Sequence, residues 1–261
     1  MIRALTGALA LMLMPACAAA QAGVDIVVLG EVHDNAAHHL EQARIVAALN
    51  PRALVFEMLS GEAPLRASGV DRTDAGAMAA ALGWADMGWP DYALYHPIFA
   101  AAPGATLFGA NLPDAAMSVA LDQGVAALMD GGRYAFDLGP LDPADQIARE
   151  AEMQAAHCGA MPVPLLPGMV AVQRARDALL ASVALGALET LGGPVVVITG
   201  TGHARTDRGI PALIAQARPG VTVWSLGQFE GDPGPGAPFD AVNVTAATPR
   251  ADPCAVFGPS D

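Results

Sequence analysis

The sequence predicts an α/β fold, in which helices cover both faces of a mainly parallel central sheet. Five short segments are apolar and often β-branched, which is typical of strands buried on both faces. Segments with helical periodicity separate them, and strands that alternate with helices form parallel sheets. Hydrophobic residues make up 53% of the 261 residues and charged residues 15%, a composition typical of a sizeable core. The strand segments are residues 24–30, 52–58, 105–111, 194–200 and 221–227.

The predicted helices occupy the intervals between these strands. The first covers residues 35–49, and Pro51 lies just beyond its end. After the second strand, residues 82–99 (LGWADMGWPDYALYHPIF) predict an aromatic-rich helical insert. The remaining helices are expected over residues 114–129, about 143–157 and 170–191.

Residues 1–22 have the features of a secretory signal peptide. They contain one arginine, an apolar stretch and the sequence AQA before Gly23, which fits an A-x-A cleavage site. We therefore expect a periplasmic or secreted protein. The alternative is a lipoprotein anchored to the outer membrane through Cys17, although Met14 and Pro15 make a poor lipobox. The mature chain is then an α/β domain over residues 23–228 and a Gly/Pro-rich tail over residues 229–261 that packs on it.

The charge balance excludes several classes of function. The formal net charge is −13, which argues against nucleic acid or an anionic membrane surface as partner. All 13 basic residues are arginines, so chemistry that needs a lysine, such as a Schiff base or a P-loop, is excluded. Removal of the signal peptide leaves Cys158 and Cys254, which predict a disulfide in an oxidising compartment; two separate thiols are the alternative.

Polar side chains follow the predicted strands, at the end of the sheet where α/β proteins bind ligands. GEVH (30–33) and GTGH (200–203) are both G-x-x-H sequences placed directly after a buried strand. Two imidazoles and two carboxylates would bind a divalent metal such as zinc or manganese, or serve in acid–base catalysis. The alternative is that each histidine merely belongs to a loop. The predicted set is Glu31, His33, Glu57 and His203, with Asn111 and Arg205 following two of the same strands.

His38 and His39 are expected to lie outside this site. They are neighbours on one helix, so their side chains point about 100° apart.

Several motifs together resemble one known family. LGEVHDNAAHH, ALVFEM, HCGAMP and VVVITGTGHARTDRGIP occur in this order within residues 24–227. They are similar to the ChaN-like haem-binding uptake family of the Tiki/TraB-related superfamily, and more distantly to erythromycin-esterase-like proteins. The resemblance implies an envelope protein that binds haem non-covalently through a tyrosine, as a face-to-face pair in a homodimer, and takes part in haem or iron uptake.

The resemblance directs attention to the tyrosines of the aromatic insert. Tyr95 is the first predicted iron ligand and Tyr92 the second, because a tyrosinate is a hard oxygen ligand for ferric iron. The alternative is an amphipathic helix that packs its aromatic rings in the core. The other predicted haem contacts are His96, Trp89, His33 and Arg205.

Four further polar residues are predicted to hold the site histidines in place. Gln173 and Asp177 are i, i+4 on one helix face among Ala, Val and Leu, where polar groups need partners. A helix network without chemistry is the alternative. The resemblance places His157, beside Cys158, near the site, and Asn111 is the fourth.

The leading prediction is a haem-binding protein. A metal-dependent hydrolase (an esterase or a peptidase) is the alternative, and a scaffold without a ligand is a third.

Overall fold

The computed structural model describes residues 23–129, 132–252 and 254–255. The predicted signal peptide and Cys17 lie outside the described residues. Six strands form one sheet: β1 (Ile26–Glu31), β2 (Ala53–Phe56), β3 (Thr106–Gly109), β4 (Val195–Gly200), β5 (Val223–Phe229) and β6 (Ala241–Val244). Their order across the sheet is β3-β2-β4-β1-β5-β6, and every neighbouring pair is parallel. The predicted α/β fold with a mainly parallel sheet is confirmed.

The central strands are buried on both faces, as their continuous apolar sequence predicted. All residues of β1, β2 and β4 are buried. Successive side chains of a strand point to opposite faces, so Val28 belongs to the core on one face and Leu29 to the core on the other. Burial on both faces explains why these strands lack the alternation of polar and apolar residues.

The described chain forms helices on both faces. They are α1 (Ala36–Leu49), α2 (Ala63–Arg66), α3 (Ala75–Leu82), α4 (Tyr92–Ala101), α5 (Asp114–Gln123), α6 (Ala126–Met129), α7 (Pro143–Ala156), α8 (Leu166–Leu191) and α9 (Ile210–Ala217). One core packs α1 and the aromatic insert against the sheet, and the other packs α5, α8 and α9 against the opposite face. None of the helices in the described part of the chain is long and apolar enough to cross a membrane.

Helix α1 places its first residues beside the end of β1. The Asn35 side chain accepts hydrogen bonds from the backbone N–H groups of Ala37 and His38 (3.0 and 3.3 Å). Such a cap satisfies N–H groups that have no partner within the helix. At the other end, Asn50 adopts the left-handed conformation with φ 44° and ends the helix. The loop between β1 and α1 is therefore short and fixed.

The structure adds helices α2, α3 and α9, which the sequence analysis did not predict, and it differs from the prediction in two further features. The helix expected over residues 114–129 is divided into α5 and α6, because Gly124 adopts φ +82° and ends α5. The tail beyond residue 228 also contributes β6, which pairs with β5. Its four residues alternate between half-buried and exposed positions, and a strand this short was not apparent in a Gly/Pro-rich segment.

The predicted disulfide between Cys158 and Cys254 is present, with Cα atoms 5.5 Å apart. It ties the turn after α7 to the end of the tail, 96 residues later. Arg250 adds a second attachment, since its guanidinium donates to Asp34 and Glu230 at 2.6–2.7 Å. The tail is thus fixed to the domain at β6, at Arg250 and at Cys254.

Candidate functional site

The sheet order brings the predicted polar residues together. In the order β2-β4-β1, Glu57 follows β2, His203 follows β4 and Glu31 ends β1. Their exposed fractions are only 2–4%. Glycine makes this close arrangement possible: a Cβ on Gly30 would lie 2.8 Å from the Cα of Thr201, and one on Gly200 would lie 3.1 Å from Nε2 of His33. Packing therefore excludes a side chain at Gly30 and leaves little room for one at Gly200.

The first group of residues surrounds Glu31, and we call it the Glu31 cluster. Its carboxylate accepts hydrogen bonds from the Tyr95 hydroxyl (2.8 Å) and from the Gln42 amide (2.8 Å), and Nδ1 of His33 lies 2.8 Å away. Nε2 of His39 is 3.6 Å from the same carboxylate. The contact between Nδ1 and Glu31 holds the His33 ring in place. The His33 side chain is 32% exposed and lines the cleft described below.

The second group surrounds His203, and we call it the His203 cluster. Nδ1 of His203 lies 2.7 Å from the Asp177 carboxylate, and Nε2 lies 3.4 Å from that of Glu57. The Gln173 amide nitrogen is 3.1 Å from the same ring. Glu57 also accepts hydrogen bonds from the Thr199 hydroxyl (2.7 Å) and the Gly200 N–H (2.8 Å). His203 is therefore enclosed by two carboxylates.

Electrostatics keep the His203 cluster charged. Burial favours a neutral imidazole, but the charges of Glu57 and Asp177 outweigh it and raise the pKa of His203 to about 10. Burial also opposes ionisation of Glu57, yet His203, His33 and the Gly200 N–H together hold its pKa well below the usual range. The pKa of Asp177 is raised, because burial and the nearby Glu57 outweigh its bond to His203.

In the Glu31 cluster, burial raises the pKa of the Tyr95 hydroxyl, and the negative charge of Glu31 raises it further. Tyr95 therefore remains a neutral hydrogen-bond donor.

A cleft of about 780 Å³ opens above these two clusters. Its size is within the range of small-molecule and cofactor sites. Apolar side chains from α7, α8 and the tail line much of it, including Met153, Met169, Val170, Phe229 and Phe239. Its polar wall is unusual for an acidic chain, because five of the 13 arginines line it: Arg149, Arg174, Arg176, Arg205 and Arg208. The acidic residues of the lining are Glu152 and Asp177.

Comparison with known proteins identifies the family. The model of the family described as "Haem-binding uptake, Tiki superfamily, ChaN" matches residues 17–214. The chain belongs to this haem-binding uptake family.

No curated protein sequence matches the chain. Among solved structures, ChaN of Campylobacter jejuni, described with cofacial heme binding, is similar over 83% of this chain and 86% of that one, at 19% identity and a TM-score of 0.66. That similarity confirms the fold. Two further solved structures are more weakly similar. The type III effector HopBA1 is 15% identical over 86% of this chain and 88% of that one, with a TM-score of 0.43. A succinoglycan biosynthesis protein is 12% identical over 79% of this chain and 66% of that one, with a TM-score of 0.37.

The cleft of this ChaN-family chain has groups that suit haem. Its apolar walls can contact a porphyrin face, its arginines can pair with propionates, and the half-buried His33 and His157 supply imidazoles. The tyrosines lie elsewhere. Tyr95 has no exposed surface, and its hydroxyl donates to Glu31. Tyr92 and Tyr134 are 6% exposed with hydroxyls buried in the protein, and within the described residues no tyrosine lines the cleft.

Tyr92 and Tyr95 as iron ligands stay a prediction; in the structure their oxygens face the protein interior, because the aromatic helix α4 packs its rings in the core. Tyr92 and Tyr95 both contact the Trp84 ring there. His96 points away as well, towards the backbone carbonyl of Arg72 (3.0 Å). Trp89 does reach the site, with its ring 4.9 Å from that of His33.

The predicted divalent-metal site receives no support. Within the described parts of the chain, no group of three or more His, Cys, Asp or Glu side chains could hold a metal ion. The physical reason is visible in the hydrogen bonds: the carboxylates of Glu31 and Glu57 already accept from neighbouring protein groups. His203 has carboxylates beside both ring nitrogens.

The predicted supporting residues divide into two sets. Gln173 and Asp177 do contact His203, and His157 lines the cleft. Asn111 follows the edge strand β3, where its backbone N–H donates to Leu59 (2.8 Å), and is not part of the cleft lining. Arg205 lines the cleft, where it pairs with Asp207 (2.6 Å).

Two residues were missed by sequence reasoning: Gln42, and His39, which was expected to lie outside the site. Both are fully buried on α1, three residues apart. A polar pair on the buried face of a helix was the available signal.

Proposed function

We propose that this cleft binds one haem non-covalently and that the protein serves in haem or iron uptake. Membership of a haem-binding uptake family supports haem handling. The observation that carries the assignment to this cleft is its concentration of arginines beside apolar walls in a chain of net charge −13. Haem combines an apolar ring with two carboxylates, and the cleft offers complementary groups for both.

Two of the arginines are suited to the propionates. Arg149, Arg205 and Arg208 already pair with acidic side chains. Arg174 donates instead to the backbone carbonyl of Gly139 (2.9 Å), and Arg176 has no acidic partner among the described residues. Both lie on α8, two residues apart, beside the apolar wall. Neither side chain forms a direct ion pair among the described residues, so a bound carboxylate would be the first such partner for each.

Haemin titration of an Arg174→Gln/Arg176→Gln double variant tests this proposal. We expect the affinity to fall by roughly 100-fold or more, because each hydrogen bond to a charged group contributes about 1.5–3 kcal/mol and the variant removes both arginines. The matched control is Arg52→Gln, an exposed arginine at the amino end of β2, which should bind haemin like the wild type. Wild-type protein that does not bind haemin at micromolar concentration would contradict the function. Wild-type affinity in the double variant would contradict the assigned arginines.

We also propose a homodimer in the haem-bound state, supported by the cofacial heme binding described for the Campylobacter jejuni protein. Light scattering of the loaded protein should give twice the mass of one chain; a single-chain mass would contradict it.

Export is the third part of the proposal. The composition of residues 1–22 and the disulfide both suit an oxidising compartment outside the cytoplasm. Intact-mass measurement of the protein from its native host should show an N-terminus at Gly23. A diacylated Cys17 would instead establish the outer-membrane lipoprotein form, and an uncleaved Met1 would contradict export by this signal.

A further inference from the structure

Helix α7 forms one wall of the cleft and packs on little else. The side chains of Arg149, Glu152, Met153 and Ala156, which share one face of the helix, line the cleft. The structure describes all of α7, and none of its residues is buried. Among the helices and strands, its main neighbour is α8. A segment with so few buried apolar contacts opens locally at a low cost in free energy.

The disulfide is a covalent tie between α7 and another part of the cleft. Cys158 lies in the turn directly after α7, and its partner Cys254 lies in the tail. The tail is fixed close to this point, since the guanidinium of Arg250 pairs with Asp34 in the loop after β1. The residue before Asp34 in that loop, His33, lines the cleft. The bridge therefore connects the wall formed by α7 to the loop that carries His33.

An ion pair also joins α7 to the loop before α9. The Glu152 carboxylate pairs with the Arg208 guanidinium, and both residues line the cleft. The Glu152 side chain is 57% exposed, and ion pairs so exposed contribute little to stability. The disulfide is therefore the stronger of these two attachments.

The turn after α7 adopts a backbone conformation that the bridge helps to enforce. Cys158 has a φ of 58°, in the left-handed region, where the Cβ of a residue other than glycine is crowded. Such conformations persist when the surrounding structure enforces them. Once the bridge is open, Cys158 can return to a more favourable conformation, and the end of α7 can move with it.

We propose that the disulfide between Cys158 and Cys254 is a redox-controlled clasp on the cleft. While the bridge is intact, α7 stays closed against the bound haem; reduction of the bridge lets α7 move away and releases the haem. This inference rests on the proposed haem-binding function and concerns the control of release from the same site. A redox switch requires a local bond change and an element with two positions, which here are the bridge and α7.

The partner that opens the clasp is a dithiol reductant. Its thiolate attacks one sulfur of the bridge, forms a mixed disulfide and releases the other cysteine as a thiolate. The second thiol of the reductant then attacks the mixed disulfide and releases the first cysteine. The reductant becomes a disulfide, and its two electrons and two protons end on Cys158 and Cys254. Both cysteines are half-buried beside exposed residues, so a reductant can reach the bridge.

Transfer of haemin from the loaded protein to excess apomyoglobin measures the release rate. Dithiothreitol should reduce the bridge in the native protein, and release should then become about tenfold faster or more, because a tether maintains a high effective concentration of the contacts it joins. Cys158→Ser/Cys254→Ser should release haemin at the fast rate with or without dithiothreitol, which also corrects for any action of dithiothreitol on the iron. Hydrogen exchange should accelerate in α7 and not in β4.

Global stability needs its own control, because loss of the bridge also destabilises the whole fold. Met78→Ala removes a fully buried side chain from α3, which destabilises the core by creating a cavity and leaves the bridge intact. Met78 does not line the cleft. This variant should release haemin at the wild-type rate until dithiothreitol is added, and at the fast rate afterwards.

The outcomes separate the clasp from the function on which it rests. If reduced wild-type protein, with both thiols counted as free, releases haemin no faster than oxidised protein, the clasp is wrong while the function stands. A bridge that dithiothreitol cannot reduce in the native protein, or fast release from oxidised Met78→Ala, overturns it equally. If wild-type protein does not bind haemin, the function itself fails. Unchanged hydrogen exchange in α7 after reduction contradicts the clasp whether or not haemin binds.

Discussion

Replacing His203 by alanine is expected to destabilise the protein by about 3–5 kcal/mol, because removal of one partner leaves buried charges without compensation. In this case two carboxylates, those of Glu57 and Asp177, would remain on either side of the cavity. Both side chains are only 6% exposed, so solvent screens their charges little. Denaturant unfolding at pH 7 measures the loss.

Two further variants make this measurement specific. His96→Ala removes a half-buried histidine with a single hydrogen bond to a carbonyl and no ion pair among the described residues, and it should cost far less. Adding Asp177→Asn to the His203→Ala variant removes one of the two buried carboxylates that have lost their partner, so part of the stability should be recovered. A loss below about 1 kcal/mol for His203→Ala, in the range of an exposed ion pair, would show that the His203 cluster is not held together by charge.

The same histidine should make stability depend on pH. Its pKa is about 10 in the folded protein, against roughly 6.5 in an unfolded chain. Between these values the folded protein binds the extra proton, so the stabilisation is complete below pH ~6.5 and is lost as pH rises through 10. The chain has no lysine to titrate in this interval. Stability should therefore fall between pH 7 and 10 in the wild type, and more shallowly in His203→Ala.

Removal of the disulfide is expected to have an effect of similar size. The bridge closes a loop of 96 residues, for which the chain-entropy model gives up to ~4–5 kcal/mol. A Cys158→Ser/Cys254→Ser variant should unfold at correspondingly lower denaturant concentration. Because the bridge fixes the turn of His157, the variant should also release bound haemin faster.

The wild-type protein provides the control for this experiment. In the presence of a reductant it should approach the variant, whereas the variant itself should not respond to the reductant. Equal stability of oxidised wild type and variant would contradict the expected contribution of the bridge. So would rapid alkylation of Cys158 and Cys254 in unreduced native protein.

The sequence predicts the strands and the strand-end residues well because one physical cause determines both. A strand buried on both faces must be apolar throughout, and the first polar residues after it then mark the carboxyl edge of the sheet. Glu31, Glu57 and His203 were found in this way, and neighbouring strands brought them together. The glycines at 30 and 200 strengthened the signal, since packing excludes a side chain at the first and leaves little room for one at the second.

The contacts that reasoning from the sequence did not find are long-range ones. Tyr95 is 64 residues from Glu31 in the chain, and only the packing of α4 against α1 brings its hydroxyl to that carboxylate. The periodicity of the sequence shows that such a helix has a buried face. It does not show which buried group will form a hydrogen bond with the tyrosine hydroxyl. Gln42 was missed for the same reason. The arginines of the cleft come from α7, α8 and the loop after β4, and no local pattern unites them.

The central position of β4 has a consequence for the newly synthesised chain. β1 and β2 each pair with β4 and not with one another, so the ribosome must reach residue 195 before the middle of the sheet can close. Until then, Glu31 at the end of β1 and Glu57 after β2 lie on strands that are not yet paired through β4. Pairing between distant segments is slow, because loop closure precedes the contacts that stabilise it. A polypeptide whose central strand pairs form only after most of the chain has been made stays unfolded for longer, which suits the translocation across a membrane proposed for it.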